Sequence, residues 1–176
     1  MHIIVDGYNL IRQSSTLRRF ERISLERGRG ELIRRVAGYR RLRGHTMTVV
    51  FDGWMAGPAQ EERLREEGVH IVYSGRGETA DEVIKRMARA ERGSEVIVVS
   101  SDREVANAAV QAGGVAISSP EFEERMEGGD VMRRTSGDED TGEDDDIPPG
   151  FRTRKKGTAR RMSKRHRQAQ RRLSKL

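Results

Sequence analysis

Four aspartates stand where a chain can do chemistry. Asp6 follows the apolar run Ile3-Ile4-Val5 and precedes Gly7, and Asp52 follows Val49-Val50-Phe51 and precedes Gly53. Asp102 comes after Val96-Ile97-Val98-Val99 and two serines, and Asp81 opens a stretch of helical periodicity. Parallel strands deliver their carboxyl ends to one crevice, so aspartates that end such strands converge there. Gathered carboxylates repel one another and lose hydration. A divalent cation relieves both costs, and Mg²⁺ or Mn²⁺ suits an all-oxygen environment. Such a cation lowers the pKa of a water and neutralises charge on a scissile phosphate, which is phosphoryl chemistry. Each position has a plainer reading as a turn former, a helix cap or a partner of the helix dipole. Four at one edge favour the metal. Asn9 is open in the same way: it can serve a metal-bound water or cap the next segment.

The elements that must position these residues alternate. Ile3–Val5 predicts a short buried strand, with Gly7 permitting a tight turn after Asp6. The polar, arginine-rich stretch 10–22 reads as a loop or short helix over the site. Ser24 caps a helix running to about Arg43, with Leu25, Leu32, Ile33, Val36, Tyr39 and Leu42 on its apolar stripe and Gly44 at its end. Its other face carries Arg34, Arg35, Arg40, Arg41 and Arg43, which read as solvated or as phosphate contacts. Strands are expected at 46–51, 69–73, 95–100 and 115–117, with a loop marked by Gly57-Pro58 and a short exposed helix over 59–67. Thr79 and Glu82 form a capping box that opens the helix bearing Asp81. Helices over about 103–112 and from Ser119-Pro120 complete the pattern. Strand–helix alternation implies an α/β fold, a five-stranded parallel sheet with helices on both faces.

Charge is distributed unevenly. Residues 1–127 hold 20 basic and 20 acidic side chains, residues 138–146 hold 7 acidic and no basic ones, and residues 151–176 hold 12 basic and no acidic ones. The net charge of +6 therefore belongs to the C-terminal stretch, and a polyanionic partner is expected. The domain reading is a body over 1–127, an acidic flexible linker over 128–150 and a basic tail over 151–176, disordered or helical on binding. Candidate phosphate contacts are Arg12 over the site, Arg76 and Arg103 in edge loops, and Arg152, Arg154, Lys155, Lys156, Arg160, Arg161, Lys164, Arg165 and Arg167 in the tail. The absence of cysteine excludes disulfides and thiolate zinc sites. The four histidines lack metal-ligand spacing, no apolar run nears the ~20 residues of a membrane helix, and the first strand leaves no room for a signal peptide. The expected location is cytoplasmic, with no membrane partner. No Gly-x-Ser-x-Gly elbow and no Walker-type Gly-Lys-Ser/Thr occurs.

Val5-Asp6-Gly7-Tyr8-Asn9-Leu10-Ile11, Val50-Phe51-Asp52-Gly53, Glu78-Thr79-Ala80-Asp81-Glu82-Val83-Ile84 and Val98-Val99-Ser100-Ser101-Asp102-Arg103-Glu104 resemble, in order and spacing, the signature blocks of the YacP-like NYN domain family, part of the PIN-like nuclease superfamily. The resemblance covers about residues 1–127. It implies a PIN-like three-layer α/β/α sandwich around a central, mostly parallel sheet, and a Mg²⁺- or Mn²⁺-dependent endoribonuclease acting on RNA. It implies Asp6, Asp81 and Asp102 as the metal-binding core, with Asn9 and Asp52 in support. One branch of the family cuts mRNA at the ribosome, which adds the ribosome to the expected partners. The acidic and basic stretches lie outside the pattern. Two other readings remain: a non-catalytic RNA- or ribosome-binding module using the tail, and a metal-dependent phosphatase, disfavoured by the lack of an Asp-x-Asp pair after the first strand.

Overall fold

Alternating apolar side chains build a sheet that is covered on both faces. In β1 (His2–Asp6), Ile3 and Val5 point to one core while Ile4 points to the other. The same split recurs in β2 (Thr46–Phe51), with Met47, Val49 and Phe51 opposite Val50, and in β5 (Val96–Val99), with Ile97 and Val99 opposite Val96 and Val98. This is the two-residue period of a strand with both faces buried. The computed structural model describes residues 1–53, 59–135 and 164–176, with 129–135 and 164–166 by backbone alone.

One face carries α1 (Gly7–Gln13), α2 (Leu17–Glu21), α3 (Leu25–Arg43) and α6 (Ser119–Thr135); the other carries α4 (Ala80–Ala90) and α5 (Arg103–Gln111). The result is the three-layer α/β/α arrangement. α3 starts at Ser24, whose hydroxyl accepts from the Arg27 N–H, and stops at Gly44 in the left-handed region. Leu25 and Leu42, expected on its buried stripe, are exposed.

The sheet has six strands rather than five, in the order β3-β4-β2-β1-β5-β6. The extra strand is β3 (Glu62–Glu66), in the stretch expected to be helical. It pairs antiparallel with β4 (Val69–Tyr73) from Glu62↔Tyr73 to Glu66↔Val69. Its residues are good helix formers, but the Glu67-Gly68 turn has φ of 47° and 83° at its two residues, the geometry that closes a tight hairpin. All five β3 residues are exposed, and its charges suit an edge strand. The remaining neighbours, β2·β4, β1·β2, β1·β5 and β5·β6 (Val115–Ile117), are parallel. The Gly57-Pro58 loop lies outside the described residues.

The C-terminal end holds a helix within the stretch expected to be helical on binding, and packs it on the body. α6 runs to Thr135, through the start of the stretch assigned to the linker, and α7 (Lys164–Leu173) lies within the basic stretch. Arg125 donates to the Leu173 carbonyl at 2.9 Å, Arg172 to the Gly113 carbonyl at 2.9 Å, and the Tyr39 hydroxyl to the Leu176 carbonyl. Leu176 is 3% exposed and joins the core around Tyr39 and Phe122. The acidic run and residues 151–163 lie outside the described residues. Among the described residues no helix is long and apolar enough to cross a membrane.

Candidate active site

The site grows from the carboxyl ends of four adjacent strands. In the order β4, β2, β1, β5 these ends present Ser74, Asp52, Asp6 and Ser100. The outer hydroxyls hold the inner carboxylates. Ser100 donates to Asp6 Oδ2 at 3.0 Å, and Ser74 donates to Asp52 Oδ1 at 3.4 Å while accepting from the Gly53 N–H at 2.9 Å.

Asp6 ends β1 and caps α1, its Oδ1 accepting the Asn9 N–H at 3.2 Å. Gly7 lets the chain turn there beneath β2: a Cβ would run into the Phe51 ring and lie 3.0 Å from the Val50 carbonyl oxygen. Asp6 is only 6% exposed. Burial raises its pKa from 3.8 to about 6, the hydrogen bonds from Asn9 and Ser100 oppose the rise, and the charges of Asp81 and Asp102 add to it.

Asp102 caps α5, with Oδ1 accepting from the N–H groups of Glu104 at 2.7 Å and Val105 at 3.2 Å. Its own N–H donates to the Ser100 hydroxyl at 3.1 Å, so one serine links the two aspartates. Asp81 follows the Thr79–Glu82 capping box in the first turn of α4. Its pKa is raised by burial and then by Asp102, with Asp52 and Glu104 acting in the same sense and Lys85 against them. Asn9 accepts from the Ser101 N–H at 2.9 Å and the Ser119 hydroxyl at 2.8 Å, both on Oδ1. Because a backbone N–H fixes which end is oxygen, the amide NH₂ is what Asn9 offers to a ligand.

Asp6, Asp52, Asp81 and Asp102 line one open cleft of about 230 Å³, together with Tyr8, Asn9, Arg12 and Gln13. The structure thus brings together all five residues expected at the catalytic centre, and Arg12 with them. Arg76 and Arg103 are exposed and do not line the cleft. Arg152, Arg154, Lys155, Lys156, Arg160 and Arg161 lie outside the described residues; Lys164 and Arg165 are placed by backbone in α7, and Arg167 is exposed there. Ser74, Ser100, Tyr8 and Gln13 were missed. Ser74 and Ser100 had a signal: each is the first residue past an apolar strand, the place of Asp52 after β2.

Among the described residues no three acidic or imidazole side chains already form a chelate. The donor set nevertheless fits Mg²⁺ or Mn²⁺, which bind one or two carboxylates and keep several waters. Burial first, and mutual repulsion after it, raise Asp6 and Asp81, and a cation would offset both.

Comparison with known proteins bears on the family and the fold. The sequence model of the YacP-like NYN domain matches residues 3–175, and so extends beyond residue 127 to include α7. A Bacillus subtilis protein described as uncharacterized protein YacP is 33% identical over 88 residues, 50% of this chain and 51% of its own length. The chain thus aligns with about half of that curated relative. The crystal structure of Rae1 (YacP) from Bacillus subtilis superposes with a TM-score of 0.64 at 27% identity, covering 77% of this chain and 80% of that one. A mutant form of the same protein gives 0.64 at 26% identity, covering 80% and 86%.

Proposed function

The chain belongs to the YacP-like NYN domain family, and from that premise we propose that it is a Mg²⁺- or Mn²⁺-dependent endoribonuclease that hydrolyses RNA phosphodiester bonds. The observation that carries the reading is the convergence of four aspartates, from two strand ends and two helix starts, on a single open cleft. Asp6, Asp81 and Asp102 would hold the cation, with Asp52 in support. When bound, the cation supplies Lewis-acid activation of the attacking water and of the phosphate.

The chain's own residues supply position. Asp6 is fixed by two hydrogen bonds from opposite sides, so its carboxylate is preorganised. Asp102 commits Oδ1 to the helix cap and keeps Oδ2 for a ligand. Asn9 presents N–H donors to phosphate oxygens or to a water. Arg12 adds positive charge at the cleft wall, where an RNA phosphate must enter. Cleavage of mRNA at the ribosome is part of the same proposal. It draws on the family resemblance and on the basic stretch 151–176, whose charge suits ribosomal RNA.

The test is cleavage of RNA in Mg²⁺, in Mn²⁺ and in EDTA, by the natural chain and by Asp102→Asn, with end mapping. The expected result is loss of cutting in EDTA and in the variant, and products with 5′-phosphate and 3′-hydroxyl ends. Full activity in EDTA would overturn the reading. The basic surplus of 151–176 favours a second reading, a non-catalytic RNA- or ribosome-binding module; retained binding without cutting in either metal would select it.

A further inference from the structure

Next to the carboxylates lies a row of aromatic rings that the cleavage chemistry does not use. Tyr8 lines the cleft from the first turn of α1. Its ring meets Phe51, at the end of β2, edge-on at 5.3 Å. Phe51 in turn stacks on Tyr73, at the end of β4, at 5.6 Å and 23°. The row therefore follows the sheet order β1-β2-β4 along the carboxyl edge, leading away from the cleft. Phe51 is fully buried, whereas Tyr8 and Tyr73 are half-buried.

Each outer ring has a guanidinium over it. Arg12 stands 5.7 Å from the Tyr8 centroid, and Arg29, reaching down from α3, 5.6 Å from that of Tyr73. These distances sit near the ~6 Å outer range of cation–π attraction, so the cations are near the rings without closing on them. Neither has a carboxylate partner among the described ion pairs, unlike Arg35, Arg41 and Arg86. Flat apolar faces alternating with cations along a groove are how proteins hold single-stranded nucleic acid: bases stack on the rings and phosphates take the charges.

We propose that Tyr8 and Tyr73, with Arg12 and Arg29, form a subsite that holds one unpaired nucleotide of the RNA at a fixed offset from the scissile phosphate. The base lies on the tyrosine surface, and the guanidiniums turn to its flanking phosphates. Every base has a π-face, so the subsite reads unpairedness rather than sequence. A base paired in a duplex is already stacked and cannot enter. This inference rests on the reading of the cleft as an RNA-cutting site.

The experiment measures binding rather than cutting. The chain with Asp102→Asn, in Mg²⁺, is titrated into a fluorescein-labelled oligoribonucleotide too short to bind in more than one register. One base at a time is replaced by an abasic unit. The expected result is one position at which removing the base weakens binding on the order of tenfold, the range of a base–aromatic stack. Adding Tyr73→Leu should weaken binding of the intact oligonucleotide similarly and abolish the penalty at that one position. A flat scan, or a penalty that persists in full with Tyr73→Leu, would overturn the subsite. Arg29→Met serves where Tyr73→Leu lowers the melting temperature: it should reduce the salt slope of binding by about one phosphate contact, and an unchanged slope counts against the proposal. A flat scan beside normal cleavage by the unsubstituted chain would remove the subsite alone. A positional penalty without any cleavage would remove the nuclease reading alone.

Discussion

Replacing Asp6 by Asn should make the metal-free protein more stable at neutral pH while destroying its activity. The buried carboxyl has its pKa raised from 3.8 to about 6, a shift of roughly two units. At 1.36 kcal/mol per unit, the ionised form costs the fold about 3 kcal/mol. That figure is already net of the bonds that Asn9 and Ser100 make to the ionised form; what Asn loses besides is one of the two acceptor oxygens, which costs about 1–2 kcal/mol. The net gain is about 1–2 kcal/mol, or roughly 3–8 °C in melting temperature.

The sign follows from linkage. The folded pKa lies above the unfolded one, so the stabilising contribution of Asp6 is complete below pH 3.8 and is lost as pH rises through about 6. Asp81 is shifted in the same direction. Denaturant unfolding in EDTA, at steps from acid to neutral pH, should show the variant ahead at neutral pH and its lead vanishing on acidification. Saturating Mg²⁺ should close the gap from the other side, by stabilising the natural chain more than the variant. A variant no more stable at neutral pH, or a lead that ignores pH, would refute the account of Asp6 as a carboxylate held at a cost for a cation.

Two further outcomes are expected. Leu176→Ala should lower stability by about 2–4 kcal/mol, as for a fully buried leucine, because Leu176 is 3% exposed within the main core; an unchanged urea midpoint would show that the C-terminal residues do not dock. Changing Arg152, Arg154, Lys155 and Lys156 to Gln should flatten the dependence of log affinity on log salt by up to about 3 for single-stranded RNA, read by titration across salt concentrations; an unaltered slope would mean that these residues do not contact phosphates.

How much of this could be read in the sequence depended on what kind of force decided each element. β1, β2, β4 and β6 are fixed by dense apolar runs, and the expected bounds of β2, β4 and β6 coincide with those observed. α3 and α4 carry side-chain caps, Ser24 and Thr79, which act within a single turn and so are visible locally. β3 was illegible because nothing in Glu-Arg-Leu-Arg-Glu favours a strand. It is one only because the Glu67-Gly68 turn folds it back onto β4. A helix in the basic tail was legible, but its docking on the body was not, for a related reason. Its docking rests on Ala169, Leu173 and Leu176, three apolar residues within a stretch dominated by charge. Average composition conceals a contact that needs only one face of one helix and the leucine just past its end.

The candidate site divides along the same line. Asp6, Asp52 and Asp102 could be picked out because each follows an apolar run, and period and position are properties of the chain. Their neighbours could not be assigned, because strand order is not written locally. Only when β1 is seen between β2 and β5 does Ser100 become the hydroxyl that holds Asp6. That order also explains why carboxylates occupy the middle of the edge and serines its flanks. A hydroxyl can donate to a carboxylate and still accept from a backbone N–H, as Ser100 and Ser74 both do. A further carboxylate in that place could only accept, and would raise the charge density of the cleft. The fold thus confines its acidic groups to a small number, orients them with neutral donors, and leaves the remaining repulsion between Asp6, Asp81 and Asp102 to be met from outside the chain. Arg12, the cation in the cleft wall, stands over Tyr8. On the proposed function the carboxylates would hold the metal, and this guanidinium, poised over a ring, would meet the phosphate.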